Sequence, residues 1–367
     1  MYKNLAIFSA HTLDYFFRIM LVHYTGLLHN IFIHANITYI MRIRRYLGNR
    51  VKRFLIIGCI LLVTLFLVIS YLHAYAFTHP TTNKYLAVER NGMELTSPNL
   101  VKATIIGIRP IKHITKETPS IYQLSYENVS FNSSDGLSIK GWLIKSDNPQ
   151  GTIIMAHGYN GNRGRLDIAT FLNEEGYNIL MFDFRGHGES EGDYISMGYY
   201  ESKDILGAIQ YLKQRNDTDT NKLYGLGQSM GSAALIFAEE QQPSFKGLIL
   251  ESTYTDLYQN NARRFKRVYG FPKFPFATSL TFFGGIVLGV NGFKISPLNS
   301  INNIEKPILL IHDSLDNGVS NEDAKLLFEA ANQPRELWIV EGAKHTSAFE
   351  TGTKEYKRRI LNFLNKS

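Results

Sequence analysis

The sequence predicts a three-layer α/β fold, with a mainly parallel sheet covered by helices on both faces. Three observations predict it. From about Tyr122 onward, short apolar runs alternate with helix-length stretches. The later runs are apolar at nearly every position, as in strands buried on both faces. One run leads through Gly227-Gln228-Ser229-Met230-Gly231 into an Ala-rich stretch, the pattern of a very sharp strand-to-helix turn.

Taken in order, residues 124–131 and 137–144 read as a hairpin joined through Ser134-Asp135-Gly136. The later strand runs are 152–156, 178–182, 222–226, 247–250, 308–311 and 336–340. Helices are expected near 165–173, 200–214, 232–240, 321–331 and 353–364. Parallel strands need such crossovers, and these place helices on both sheet faces. Residues 254–300 break the alternation. They carry Arg263-Arg264, Lys266-Arg267, the segment 271–276 (Phe-Pro-Lys-Phe-Pro-Phe) and a Gly-rich apolar run to Val290. An insertion between two strands at this point is expected to form a cap over the site. The alternative is a satellite helical pair with no substrate role.

The N-terminal part is different in kind. Residues 54–72 are almost wholly Leu, Ile, Val and Phe without a charge, long enough as a helix to cross a hydrocarbon core of about 30 Å. Six basic residues precede them between Arg42 and Arg53. The organisation expected is a basic segment 1–53, a signal anchor 54–76, a linker 77–120 and a folded domain 121–367 holding the cap. The positive-inside rule places the N-terminus in the cytoplasm and the domain outside the cell membrane. Ala74-Tyr75-Ala76 resembles a signal-peptidase site, and cleavage there would release a secreted form; the apolar core exceeds an ordinary signal peptide. Met41 opens a more typical signal-anchor start, and residues 1–40 lack a clean helical or strand period, so the native chain is read as beginning at Met1 or Met41.

Charge excludes one function class. Residues 1–53 hold eight Lys/Arg and one acid, Asp14; with 39 basic and 32 acidic residues in the whole chain, 31 of each remain beyond them. The folded part is neutral, with no excess to neutralise phosphates, and nucleic acid is not an expected partner. The one cysteine, Cys59, lies in the apolar run, so no intrachain disulfide forms. No Cys/His spacing suits a structural metal, and no cofactor is expected.

The chemistry rests on Ser229. Small residues two before and two after relieve the crowding of its turn, and the hydroxyl is lifted above the sheet at a helix N-terminus. A neutral serine needs an adjacent base. Gly342-Ala343-Lys344-His345 follows the last strand run, which puts His345 at the carboxyl end of the sheet with Ser229; His157, His187 and His312 fit less well. A carboxylate must orient the histidine. Asp313 and Asp316 both follow the run 308–311; the reach across to His345 favours Asp316, and Asp183 is a third candidate whose neighbours suggest that it braces a turn. Two backbone amides are expected to hold an oxyanion: Met230, just after the serine, and Tyr159, in the loop His157-Gly158-Tyr159-Asn160-Gly161.

These motifs, together with Gly141-Trp142 and Asp183-Phe184-Arg185-Gly186-His187-Gly188-Glu189-Ser190, resemble the α/β-hydrolase superfamily over about residues 120–365. The nearer likeness is to bacterial esterase-like and Bem46-type or ABHD-type serine hydrolases. The chain departs at His312-Asp313, where relatives have His-Gly, and at Ser320, where they have Pro. The resemblance implies an α/β-hydrolase fold with a small cap and, for Asp183 to Gly188, a structural turn. It implies a serine hydrolase acting on small-molecule carboxylic esters with acyl or lipid-like groups, through an acyl-enzyme. The alternative is a serine exopeptidase or amidase of the same fold; a third reading is a non-catalytic, membrane-tethered binding protein. Arg263, Arg264, Lys266 and Arg267 point toward anionic substrates or lipid headgroups, with a solvated basic face as the alternative.

Overall fold

The computed structural model describes residues 49–82 and 109–367. The question of a start at Met1 or Met41, and the middle of the segment read as a linker, lie outside the described residues. The chain divides into two compact units, residues 1–68 and 69–367. The described part of the first unit belongs to one long helix, α1 (Asn49–Thr78), about 45 Å long at 1.5 Å per residue. From Phe54 to Val68 most of its large apolar side chains, among them Phe54, Leu62 and Leu65, are exposed. It is the one helix among the described residues that alone is long and apolar enough to cross a membrane.

The second unit begins with residues 69–78, and these pack into the body instead of leaving it. Tyr71 meets Phe283 edge-on and His73 stacks on Phe265. Ala74 is fully buried, and Phe77 is buried with Met197, Phe237, Tyr254 and Leu257. Phe77 is also stacked on Tyr159, which donates its hydroxyl to the Phe77 carbonyl. Phe77→Ala is therefore expected to cost about 3 kcal/mol through the cavity left. A lowered midpoint in chemical denaturation of the full chain in detergent would register it.

The sheet follows as β1 (Tyr126–Asn132), β2 (Ser138–Ile144), β3 (Gly151–Ala156), α2 (Leu166–Glu174) and β4 (Tyr177–Phe182). Next come α3 (Glu201–Lys213), β5 (Leu223–Gln228), α4 (Met230–Gln241) and β6 (Gly247–Glu251). The cap, between β6 and β7, holds α5 (Leu257–Tyr269), α6 (Thr278–Leu288) and α7 (Pro297–Ile301). The chain ends with β7 (Ile308–Asp313), α8 (Asn321–Ala330), β8 (Arg335–Val340), α9 (Ala348–Thr351) and α10 (Thr353–Lys366). Every expected strand and helix is present, with ends moved by a residue or two.

The eight strands run in the order β1-β2-β4-β3-β5-β6-β7-β8. β1 and β2 form the antiparallel hairpin, β2 pairs antiparallel with β4, and the rest are parallel. Alternation along each strand feeds two cores. Ile154 and Leu180 face α3 and α4, through Ile205, Ile209 and Leu235. Ile153 and Ile179 face α2 and α10, through Phe171, Tyr356 and Ile360. The order in which strands are added reverses at β3, since β4 lies on one side of it and β5 on the other, all three parallel. Such a switch leaves a crevice at the carboxyl ends of the strands, and Ser229 stands at its edge.

Candidate active site

Ser229 lies between β5 and α4 with φ 53° and ψ −112°, a conformation in which a side chain other than glycine is strained. The structure shows why small residues flank it. A Cβ on Gly231 would lie 2.1 Å from the Ala156 carbonyl oxygen, and one on Gly227 would lie 2.6 Å from the Ser232 nitrogen. The elbow thus presses against β3 and on its own helix. Ser229 itself is 8% exposed, at the floor of a cavity of about 800 Å³.

His345 comes to the serine from the loop after β8. Its Nε2 is 3.0 Å from Ser229 Oγ and its Nδ1 is 2.5 Å from Asp316 Oδ2. The second carboxylate oxygen of Asp316 accepts the amides of Gly318 and Val319, at 2.6 and 3.0 Å. Burial works against ionisation of Asp316, but His345 and these amides together hold its carboxyl below the usual range. For His345, burial disfavours the cation, and the hydrogen bond and charge of Asp316 outweigh it, so the imidazole is held above its ordinary value.

Asp313 is placed elsewhere. Its Oδ2 accepts the Ser252 hydroxyl at 2.6 Å and the Thr346 amide at 2.8 Å, so it anchors the histidine loop from below. Glu251, at the end of β6, does similar work: it accepts Gln228 Nε2 at 2.8 Å and the Ala348 amide at 3.2 Å. Burial and the neighbouring Asp313 push the Glu251 carboxyl up. Sequence reasoning missed Glu251; its signal was a lone acid ending an apolar strand run.

The loop after β3 brings Gly158 against the elbow, where a Cβ would lie 3.4 Å from Ser229 Cβ. Tyr159 follows and lines the cavity, and Met230 is the first residue of α4. The first amides of a helix have no intrahelical acceptor. His157 lies beneath this loop, accepting the Phe184 amide at 3.0 Å, with Nδ1 2.8 Å from the Gly158 carbonyl oxygen. His187 Nε2 accepts the Asn160 amide. Asp183 braces the turn as expected: it accepts the amides of Arg163 and Glu189 and pairs with the Arg163 guanidinium at 3.1 Å. Arg185, wholly buried, bridges Asp204 and Asp135, tying this turn to the β1–β2 hairpin. The two departures from relatives find local uses, Asp313 as above and Ser320 as the N-cap of α8 in a capping box with Asp323.

The cavity wall adds residues from outside the sheet; of these, sequence reasoning singled out only the basic residues of the cap. Arg109, Ile111 and His113, from the segment read as a linker, line it, as do Asn260, Arg264 and Arg267 of α5. The cap insertion thus contributes to the site. The spacing of 260, 264 and 267 puts all three on one helical face, a signal available in the sequence. Among the described residues no cluster of His, Cys, Asp and Glu is arranged to hold a metal.

Comparison with known proteins agrees with this geometry. The family described as "Serine aminopeptidase, S33" matches residues 147–281. The uncharacterized protein YqkD of Bacillus subtilis is 30% identical over 237 residues, spanning 64% of this chain and 77% of that protein. The lysophosphatidylserine lipase ABHD12 of Danio rerio is 29% identical over 206 residues, 53% of this chain and 51% of its own. The esterase Pf2001 of Pyrococcus furiosus superposes with a TM-score of 0.61 at 28% identity, covering 70% of this chain and 97% of the esterase. With the eight-stranded sheet and the serine turn, these likenesses make the chain a member of the α/β-hydrolase family of hydrolytic enzymes, in the branch of esterase-like and Bem46-type proteins.

Proposed function

We propose that the chain is a membrane-anchored serine hydrolase that cleaves carboxylic esters, with Ser229, His345 and Asp316 as its catalytic triad. The observation that carries the reading is the continuous chain of contacts from Asp316 through His345 to the strained Ser229, at 2.5 and 3.0 Å. His345 removes the serine proton as Ser229 Oγ attacks the ester carbonyl carbon. The Tyr159 and Met230 amides hold the oxyanion. His345, now protonated, gives that proton to the leaving alkoxide, and the C–O bond breaks to leave an acyl-enzyme. Water then repeats the sequence, releasing the acid and restoring Ser229.

The apolar stretch of α1 supports anchoring, and the six basic residues before it support a cytoplasmic N-terminus. Burial of His73, Ala74 and Ala76 in the folded body supports retention over cleavage after Ala76. An aminopeptidase is the second reading, suggested by the description of the matching family. It would need an acidic group to hold the substrate ammonium, and the cavity lining has no Asp or Glu among the described residues.

A fluorophosphonate probe tests this reading. Wild type is expected to be labelled and Ser229→Ala unlabelled, with ester turnover lost in parallel. An impermeant probe is expected to label the wild type on intact spheroplasts, since the domain lies outside. A folded wild type that resists labelling would move the binding-protein reading to the front.

A further inference from the structure

The cavity over Ser229 is strongly and one-sidedly charged. Its lining includes Arg109, Arg165, Arg264 and Arg267 and, among the described residues, no carboxylate. Arg165 is already paired, with Asp167 and Glu350, and Arg109 is turned to the carbonyls of His79 and Pro80. Arg264 and Arg267 are different. Neither has an ion pair among the described residues; Arg263, on the same helix, takes the Asp323 carboxylate, and Lys266 is exposed. The Arg264 guanidinium lies over the Phe77 ring at 4.4 Å and the Tyr159 ring at 5.8 Å, contacts that orient it without neutralising it. Arg267 is the sharper case. Its Nε and Nη1 are buried and have no hydrogen-bond partner. Burial and the neighbouring Arg264 both lower its affinity for its proton, and the nearest compensating charge, Asp316, is committed to His345.

A half-buried guanidinium with two shielded, unsatisfied nitrogens is costly unless something completes it. The completing group must be anionic, accept several hydrogen bonds and enter the cavity that holds the serine. Carboxylate and phosphate both fit, and arginine pairs suit their geometry.

Resting on the ester-hydrolase reading, we propose that Arg264 and Arg267 form an anion subsite beside Ser229, and that the preferred substrates are esters carrying a carboxylate or phosphate on the acyl or alcohol side. The cap then selects by charge. Phe77 and Tyr159 hold Arg264 at the rim, so the end of α1 and the oxyanion loop belong to the same recognition unit.

The test uses the full chain in detergent and two matched ester pairs. One is phenyl hexanoate against the monophenyl ester of adipic acid; the other is a 1-acylglycerol against its 3-phosphate with the same acyl chain. Wild type is expected to prefer the anionic member of at least one pair by about 10-fold or more in kcat/KM. Which pair shows it separates a carboxylate from a phosphate headgroup. Arg264→Gln with Arg267→Gln is expected to collapse that preference ratio by about 10–100-fold. Lys266→Gln, on the exposed side of α5, leaves the ratio unchanged, and Arg-to-Lys changes at 264 and 267 keep part of it. Using a ratio removes any general loss from disturbing Tyr159. Independently of turnover, inorganic phosphate is expected to raise the melting temperature of Ser229→Ala, and to do so much less when both arginines are also Gln. A wild type that prefers the neutral member of both pairs, or a ratio untouched by the double change, overturns the subsite. Stabilisation by phosphate that depends on the arginines, without turnover of any ester, leaves the subsite standing and removes the ester-hydrolase reading.

Discussion

Asp316→Asn is expected to lower kcat on esters by about 10³–10⁴-fold while leaving the fold intact. The amide is nearly isosteric, so the Gly318 and Val319 amides that Asp316 now accepts still find an oxygen. What is lost is the negative charge 2.5 Å from His345 Nδ1. That charge selects the tautomer with Nε2 free to accept the serine proton, and it stabilises the imidazolium that forms. It also sets the pH dependence. The base must be neutral to act, and Asp316 holds the His345 imidazolium above its ordinary value. Wild-type activity should therefore fall as pH drops through an inflection above the ordinary histidine value. In Asp316→Asn the inflection should move down, because the group that favours the cation is gone. Rate profiles from about pH 5 to 9 on a soluble ester would record both effects. An unchanged Asp316→Asn beside a disabled Asp313→Asn would transfer the role to Asp313.

Gly231→Ala is expected to prevent the elbow from forming. The new Cβ would sit 2.1 Å from the Ala156 carbonyl oxygen and 2.7 Å from that of His157. Both are backbone atoms at the end of β3, a strand paired on both sides, so neither can step aside. Overpacking in a core typically costs about 1–3 kcal/mol, and a backbone clash this close belongs at or beyond the upper end. Loss of the thermal transition, or a large fall in its midpoint, would accompany loss of probe labelling. Gly284→Ala, in α6, is the internal comparison. Nothing lies within 4 Å of its added Cβ, and alanine is favoured over glycine in a helix by about 1 kcal/mol. It should be neutral or mildly stabilising. Equal effects at the two positions would mean that close contact with β3 is not what makes Gly231 small.

The elements were legible because each imposes a local rule. A strand buried on both faces must be apolar at every position, and residues 152–156 and 178–182 are almost so; they became β3 and β4 with hardly a shift. The serine turn was legible because only small residues tolerate the crowding at 227 and 231. The helical phase that brings Asn260, Arg264 and Arg267 to one side was also written in their spacing, although four basic residues in five positions obscured which two would face inward.

The alternation of strand and helix, the apolar N-terminal helix and the turn that presents Ser229 were therefore written in local residue patterns. Tertiary structure decided the rest. Asp313 and Asp316 are chemically alike and three residues apart; only the turn closed by the Asp316 amide on the Asp313 carbonyl sends one to His345 and the other beneath its loop. Tyr159 meets the Phe77 carbonyl across 82 residues, and residues 109–113 reach the cavity with no pattern that announces it. The physical reason is the same throughout. Periodicity and steric tolerance act between near neighbours and leave a trace in the sequence, whereas the pairing of distant side chains depends on how finished layers pack, which no single segment encodes.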